Sequence, residues 1–189
     1  GWSAGGALAA AFFSVKKLAR WLMDRFGSDA VASKSQPALT TVDHVANYCL
    51  TEPGAGSDAA ALRTGAVREG DDYVINCSKA FISGGGRADV YVTMVRTGDE
   101  GAGGVSCIAI PKDAPGISFG AQERKMGWNS QPTARVQFDN CRVPAEHLVG
   151  AGGQGLKIAM VGLAGGRRTV GTCSIGRGRA RLEAPPDAP

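Results

Sequence analysis

The sequence lacks long apolar runs, paired cysteines and any concentration of histidine. The apolar run at residues 5–13 is far shorter than the ~20 residues that cross a bilayer, so we expect no membrane segment. Two histidines and five scattered cysteines with no C-x-x-C pair argue against a metal site or a disulfide framework. We expect buried free thiols in a reducing compartment, either a bacterial cytoplasm or a mitochondrial matrix. The cysteines are Cys49, Cys77, Cys107, Cys141 and Cys173.

An excess of charge is missing from most of the chain as well. The formal net charge is +4, but the surplus gathers near the end, at Arg167, Arg168, Arg177, Arg179 and Arg181. Acids and bases nearly balance before that cluster, so we expect no nucleic-acid partner. Glycine, in contrast, is abundant at 28 residues, which is about twice its usual share and predicts many tight turns.

Helical periodicity marks the start of the chain. Apolar residues at steps of three and four from Leu8 to Phe26 predict an amphipathic helix that Gly27 ends. Ser28 is a candidate cap for a second, weaker helix, which Pro37 is predicted to close.

A helical pattern returns near the end of the chain, from Leu156 to Leu163, and weakens at Gly165 and Gly166. The stretch from Gly176 to Pro189 is rich in arginine and proline and has almost no apolar residues, so we expect it to be disordered.

The middle of the chain, from Asn47 to about Val143, consists of short β segments bounded by Gly, Pro, Asn or Asp. The polar turn at 69–72 predicts a hairpin. Many short strands at this spacing predict a barrel or a sandwich rather than a parallel sheet. The predicted strands are 65–67, 73–75, 90–95, 105–110, 115–119, 134–138 and 141–143.

The stretch Tyr48–Asp58, with the sequence YCLTEPGAGSD, predicts a short half-buried strand that runs into a glycine-rich bend. Gly54 and Gly56 permit positive φ and a close approach of the backbone to a ligand, while Thr51 and Ser57 offer hydroxyls. The bend matches the dinucleotide pattern formally, but only 59–62 is helical before a β hairpin, so the βαβ unit that this pattern needs is absent, and no Walker A lysine follows. A phosphate or cofactor cradle and an ordinary glycine turn both stay open.

A second stretch, Lys79–Gly86, combines an aromatic ring, a hydroxyl and three glycines in the sequence KAFISGGG. Such a stretch can offer a flat face, a hydrogen-bonding group and close backbone access to a ring system. The alternative is that Phe81 simply belongs to the core.

Both stretches resemble signatures of the acyl-CoA dehydrogenase family, and the resemblance continues through KMGWNSQPT at 125–133, FDNCRVP at 138–144 and GGQG at 152–155. It covers roughly residues 18–175 and is strongest toward short branched-chain members. The resemblance implies an α+β fold with a central antiparallel, barrel-like β domain flanked by incomplete helical segments. The expected domains are 1–46, 47–150 and 151–175, followed by an aberrant or disordered tail at 176–189.

The resemblance also implies a set of site residues. FAD would contact Tyr48, Cys49, Leu50, Thr51, Gly56, Ser57, Phe81, Ile82 and Ser83, and the substrate would contact Ser57, Ala164, Gly165, Gly166 and Arg167. Phe81 would lie against the flavin where many relatives have Trp, and Ser83 would replace the usual Thr. Ala164 replaces a polar residue of the family's substrate motif.

The implied activity is α,β-dehydrogenation of a short branched-chain acyl-CoA such as isobutyryl-CoA, with electrons passing to an electron-transfer flavoprotein and the whole protein forming homotetramers. The reaction needs a carboxylate base, and Gly166 stands where a few members place one. We expect Glu146 and Glu183 to be solvated and His44 and His147 to be surface or structural residues, so the base is absent from this chain, which we expect to be a fragment. A non-catalytic β-domain remnant and a related acyl-CoA oxidase are the alternatives.

Overall fold

The computed structural model describes residues 7–41, 43–129 and 131–183, with only the backbone described at residues 7–16 and at a few other helical positions. These ranges contain three α-helices and seven strands, joined by loops and short 3-10 turns. The elements are α1 (Ala7–Phe26), α2 (Asp29–Thr41), β1 (Ala46–Cys49), β2 (Gly65–Glu69), β3 (Asp72–Ser83), β4 (Val90–Arg96), β5 (Val105–Pro111), β6 (Ile117–Gln122), β7 (Thr133–Pro144) and α3 (Gly155–Glu183).

The strands form one mixed sheet that curls into a half-barrel, in the order β1-β4-β2-β3-β7-β6 with β5 also on β4. The predicted α+β class with a barrel-like central sheet is therefore confirmed. The pairs β2–β3, β3–β7, β4–β5 and β6–β7 are antiparallel, but β1 and β2 both pair with β4 in parallel. The parallel pairs arise because the chain between β1 and β4 is long enough to cross over, a connection that short hairpins do not allow.

The predicted hairpin is confirmed, and its second strand is much longer than the sequence indicated. β3 pairs with β2 from Gly65↔Asn76 to Glu69↔Asp72, and then continues along β7 as far as Ser83. Register shifts between Ile75 and Cys77 and between Lys79 and Ile82 mark two irregularities in this ladder. They interrupt the alternation of apolar and polar residues, which is why the sequence pattern stopped early.

The first helix is confirmed, while the second differs from its prediction at one end. The N–H of Val31 donates to Ser28 Oγ at 3.3 Å, so Ser28 caps α2 as expected. Pro37 does not close the helix, which continues to Thr41. Val31 and Leu39 are both buried, and their packing on either side of Pro37 offsets the backbone hydrogen bond that a proline cannot donate.

The disorder expected after Gly176 is wrong for residues 176–183, which belong to α3. The physical reason is local: Arg179 Nε donates to Glu183 Oε1 at 2.7 Å across one helical turn, and Arg, Ala and Leu are good helix formers. The rest of the expected tail, residues 184–189, lies outside the described residues. The domain boundaries remain predictions.

Two apolar clusters cover the two faces of the sheet. In β4, Val92 and Met94 face a cluster shared with the helices, whereas Tyr91 and Val95 face a second cluster inside the curl of the sheet. This arrangement explains why β4 and β5 are apolar at nearly every position. No described helix is both long and apolar enough to span a membrane.

The described cysteines are free thiols, and three of the four are buried. Cys49, Cys107 and Cys141 lie inside, as expected, but Cys77 is exposed because it occupies an irregular position of β3 at positive φ. Burial raises the pKa of Cys49 to about 12 and that of Cys141 to about 11, so these thiols stay protonated and unreactive.

Replacing Leu22 tests the packing of α1 against α3. Leu22 is fully buried, and its methyl carbons lie only 3.2 and 3.3 Å from where a Cβ of Gly162 would sit. We expect Leu22→Ala to lower the free energy of unfolding by ~3 kcal/mol in urea denaturation, because it leaves a cavity. The matched control is Leu182→Ala, whose side chain is 88% exposed and whose loss costs less than ~0.5 kcal/mol. Equal effects of the two changes would contradict this packing.

Candidate functional site

The glycine-rich bend and the aromatic stretch are neighbours in space. β1 pairs with β4 in the sheet, but the residues that follow β1 run alongside β3. The N–H of Ala80 donates to the carbonyl of Thr51 at 2.8 Å. The two stretches that the sequence singled out therefore form one continuous surface.

Phe81 is presented to solvent rather than packed in the core. It lies in the irregular part of β3 with φ +56°, and its side chain is 67% exposed, while the next residue, Ile82, is buried. A left-handed conformation costs a non-glycine residue roughly 1–2 kcal/mol and is concentrated at functional sites. The alternative that Phe81 is a core residue is thus excluded.

The bend itself is a tight turn. Glu52 and Ala55 exchange two backbone hydrogen bonds, of 3.0 and 3.2 Å, with Pro53 and Gly54 at the tip. Neither Gly54 nor Gly56 has positive φ, so that expected reason for glycine is wrong. Added Cβ atoms would have no neighbour within 4 Å at either position, which leaves an open backbone surface beside the exposed Ser57.

A buried ion pair, which the sequence did not reveal, lies beneath the bend. Lys79 Nζ donates to Glu52 Oε1 at 2.8 Å and to the carbonyl of Leu50 at 3.1 Å. Lys79 is completely buried and Glu52 is 6% exposed. The Glu52 carboxylate also accepts the N–H groups of Arg63 at 2.7 Å and Thr64 at 3.0 Å, together with the Thr64 hydroxyl.

Burial and pairing act in opposite directions on Glu52. Burial raises the pKa of the carboxyl, but the charge of Lys79 and the hydrogen bonds from Arg63, Lys79 and Thr64 lower it more, so the pKa lies below its ordinary value. Burial lowers the pKa of Lys79, and the attraction of Glu52 only partly opposes this. The carboxylate is therefore ionised at neutral pH and acts as an acceptor for the loop that follows the bend.

The far end of that loop is held by Arg96. Its guanidinium donates to the carbonyls of Ala60 at 2.6 Å and Leu62 at 3.0 Å, and also to those of Asp99 and Gly101. Glu52 thus joins the two ends of the loop at residues 52–64, and Arg96 holds the end that leads into β2, with Ser57 exposed in between.

The end of the aromatic stretch is fixed by a glycine that no other residue can replace. Gly84 has φ +74°, and an added Cβ would lie 1.7 Å from Nδ2 of the buried Asn47. Its N–H donates to the carbonyl of Pro132 at 2.6 Å, and the neighbouring Ser83 pairs with Thr133 of β7. The half-buried Ser83 is therefore held at the border between the sheet and solvent.

A second exposed aromatic, Trp128, lies in the loop between β6 and β7, also in a left-handed conformation with φ +55°. Lys125 Nζ organises this loop by donating to the carbonyl of Trp128 at 2.8 Å, to Thr133 Oγ1 at 3.0 Å and to the carbonyl of Gln131. Apart from the family-like motif, no pattern in the sequence indicated this organisation.

Among the residues assigned to the cofactor, the side chains divide by exposure. Cys49, Leu50 and Ile82 face the core, whereas Ser57 and Phe81 are exposed and Thr51 and Ser83 are half-buried. The hydroxyl of Tyr48 is buried with no hydrogen-bond partner among the described residues, and burial raises the pKa of this hydroxyl, so it stays a donor. The strand therefore has a donor that the described protein does not satisfy.

A cavity of about 350 Å³ lies between α1 and α3. Of the predicted substrate residues, Gly165 and Gly166 line this cavity and Ala164 and Arg167 do not, while Arg168 also lines it. Opposite them, α1 contributes Lys17 and Trp21. The remaining lining residues are Leu18, Val161, Gly162 and Thr169.

The cavity wall and the bend share one apolar cluster. Leu50 and Ala55 of the bend belong to it, and Leu18 and Leu163 of the helices pack against it. No carboxylate lines the cavity in the part of the chain that the structure describes, and Glu146 and Glu183 are exposed as expected. No cluster of three potential metal ligands occurs among the described residues.

Known proteins are similar to this chain in both sequence and fold. A family model for the acyl-CoA dehydrogenase middle domain matches residues 47–141. Isobutyryl-CoA dehydrogenase of Bos taurus, a mitochondrial protein, is 52% identical over 172 residues, which is 91% of this chain and 41% of the bovine protein. Butyryl-CoA dehydrogenase from Megasphaera elsdenii superposes with a TM-score of 0.87 at 34% identity, covering 92% of this chain and 47% of that one.

A further similar structure comes from work on the electron transferring flavoprotein of Acidaminococcus fermentans. It has a TM-score of 0.85 and 39% identity, and the match covers 93% of this chain and 46% of that chain. The chain therefore spans less than half the length of these proteins.

Replacing Glu52 tests the ion pair through its pH dependence. Because the pKa of Glu52 is lower in the folded than in the unfolded chain, where it is ~4.3, its stabilising contribution is complete above that value and is lost as pH falls through the folded-state pKa. We expect wild type to exceed Glu52→Gln in unfolding free energy by a constant amount near pH 7, and the difference to shrink below about pH 5.

Urea denaturation at a series of pH values measures this difference. The control is Glu69→Gln, since Glu69 pairs with Arg142 on the exposed surface, where an ion pair contributes ~0–1 kcal/mol. A gap between wild type and Glu52→Gln that widens toward acid pH would contradict the lowered pKa.

Proposed function

The chain belongs to the acyl-CoA dehydrogenase family, and from that premise we propose that it forms one wall of a flavin site in an enzyme that dehydrogenates a short branched-chain acyl-CoA. The observation that carries the proposal is Phe81, which has a strained backbone and an exposed aromatic ring. Its neighbour Ala80 is hydrogen-bonded to Thr51, at the start of the glycine-rich bend. Strain of this kind persists where surrounding contacts hold a residue in place for a ligand.

The residues present fit FAD in three respects. An exposed ring suits a flat aromatic cofactor, the open backbone at Gly54 and Gly56 allows close approach of a phosphate, and the Tyr48 hydroxyl lacks an acceptor. We therefore propose that FAD is held by Tyr48, Cys49, Leu50, Thr51, Gly56, Ser57, Phe81, Ile82 and Ser83. Cys49, Leu50 and Ile82 would contribute backbone atoms, since their side chains are buried.

When bound, FAD supplies the acceptor for the hydride of the reaction. The chain's own contribution is orientation and hydrogen bonding. Phe81 offers a face for stacking, and the hydroxyls of Thr51 and Ser83 are donors beside it that can stabilise negative charge on a bound ring. The buried ion pair lies beneath these groups and does not itself face the proposed ligand surface.

We propose that the acyl-CoA occupies the cavity between α1 and α3. Gly165 and Gly166 leave room there, and Lys17 and Arg168 give it a positive character suited to the anionic phosphates of CoA. Ser57, Ala164 and Arg167 stay part of the proposed substrate set, at the bend and on the outer face of α3. Since no described carboxylate lines the cavity, we assign this chain binding and orientation rather than proton abstraction.

The similar proteins support the finer part of the proposal. The bovine relative acts on isobutyryl-CoA by name, which supports a short branched-chain substrate. The structure related to electron transferring flavoprotein supports such a protein as the electron acceptor of the whole enzyme, which we propose to be a homotetramer. The free buried thiols suit a mitochondrial matrix or a bacterial cytoplasm.

Replacing Phe81 by glycine separates cofactor binding from folding. Glycine accepts φ +56° without strain, so we expect the unfolding free energy of Phe81→Gly to stay within ~1 kcal/mol of wild type. The loss of a stacking face is expected to weaken FAD binding about tenfold, measured by flavin fluorescence in a titration of the purified chain.

The control for this change is Val67→Ala, an equally exposed apolar residue of β2 away from the bend, which leaves FAD affinity unaltered. A wild-type chain that binds no FAD would refute the proposed function, and a Phe81→Gly chain with wild-type affinity would refute the role of the ring.

Filling the cavity tests the substrate proposal. Gly166 has open space around a potential Cβ and lines the cavity, whereas Gly171 has equal space on the same helix outside it. Both glycine-to-leucine changes favour the helix by up to ~1 kcal/mol. Calorimetry on the FAD-loaded chain should show that Gly166→Leu weakens isobutyryl-CoA binding at least tenfold and that Gly171→Leu does not. Equal affinities would place the substrate elsewhere.

A further inference from the structure

We propose that Lys79 is a positioning residue for the flavin site, because its buried ammonium fixes the bend and the aromatic stretch relative to each other. The inference rests on the proposed function for its ligand, but its structural part stands on contacts within the chain alone. Lys79 does not face the proposed cofactor surface, since its side chain is completely buried.

Lys79 and its neighbour Ala80 together contact three consecutive residues of the bend. Its ammonium donates to the carbonyl of Leu50 and to the carboxylate of Glu52, which flank Thr51 on either side. The next residue of β3, Ala80, donates its N–H to the carbonyl of Thr51 itself. Two adjacent residues of β3 thus hold three adjacent residues of the bend, which leaves Thr51 no freedom to shift along the strand.

The same arrangement fixes Phe81. Its preceding residue is bonded to Thr51, and its following residue, Ile82, is buried in the second apolar cluster. Because both neighbours are anchored, the left-handed backbone of Phe81 is held in place, and its side chain faces solvent. Lys79 is the side chain that ties this anchor to the bend.

Glu52 extends the effect to the loop that carries Ser57. Its carboxylate joins Lys79 to the N–H groups of Arg63 and Thr64, which close the loop. Removing the ammonium would leave the carboxylate bonded to the loop but detached from β3. The bend and the aromatic stretch of β3 would then lose the side-chain contacts that hold them in a fixed relative position.

A merely structural role predicts something different. An apolar side chain of similar volume can fill the place of a buried ion-pair partner, but it cannot bond to the Leu50 carbonyl. If Lys79 only stabilised the fold, any core change of equal cost would affect FAD binding equally. If Lys79 positions the site, FAD binding falls beyond what the loss of stability explains.

The test compares Lys79→Met with Val143→Ala, a buried core change at the opposite end of the β3–β7 ladder, where Val143 pairs with Tyr73. Three quantities are measured on each purified chain: the unfolding free energy in urea, the dissociation constant for FAD, and the hydrogen exchange of the Ala80, Arg63 and Thr64 amides without FAD.

We expect Lys79→Met to weaken FAD binding at least tenfold and to speed exchange of the Ala80 amide at least tenfold under conditions where the chain is folded. Val143→Ala should lose stability with little change in either quantity. If Lys79→Met does not fold, the double variant Lys79→Met with Glu52→Gln is judged by the same criteria, because it leaves no unpaired buried charge and still cannot bond to the Leu50 carbonyl.

Two results would overturn the inference: equal losses of FAD affinity in the two variants, or unchanged Ala80 exchange in Lys79→Met. A wild-type chain that fails to bind FAD would refute the proposed function instead. The exchange rates would then still decide whether Lys79 fixes the bend against β3.

Discussion

The ion pair between Lys79 and Glu52 is the interaction on which the proposed site depends. Taking two charges out of water costs several kcal/mol for each ion, and that cost is offset only when the geometry is good and further hydrogen bonds are made. Here the ammonium bonds to a carbonyl as well as to the carboxylate, and the carboxylate accepts two amides and a hydroxyl. Such a network specifies which groups face each other, whereas an apolar contact specifies only how closely they pack.

The network lies where the two apolar clusters meet. Leu50 belongs to the cluster under the helices, while Cys49 and Ile82 belong to the cluster inside the curled sheet. Polar groups at that border would be unsatisfied if the segments slid past one another, which makes sliding costly. The strain at Phe81 is tolerated for the same reason. The contacts of its neighbours stabilise this conformation by more than the left-handed backbone costs.

Much of the fold followed from local pattern, and the site followed from it only in part. The first helix and the hairpin of β2 with the start of β3 were predictable, as were β4 and β5, because periodicity and turn residues are local signals. The passage of α2 through Pro37, the parallel pairing of β1 and the burial of Lys79 were not, because each depends on distant contacts. A lysine is normally expected at the surface. Its partner lies 27 residues earlier, and no spacing rule connects the two.

The two walls of the proposed site are held by different physics. Satisfied charges and backbone bonds fix the β wall, so a cofactor meets groups already in place and binding loses little free energy to ordering. The helical wall depends on the close approach of α1 and α3 at Gly162, where leucine methyls occupy the space that a side chain would need. Its position is set by packing alone. In the proposed site, the β wall therefore sets the position of the flavin, while the packing of the two helices sets the room left beside it for an acyl group.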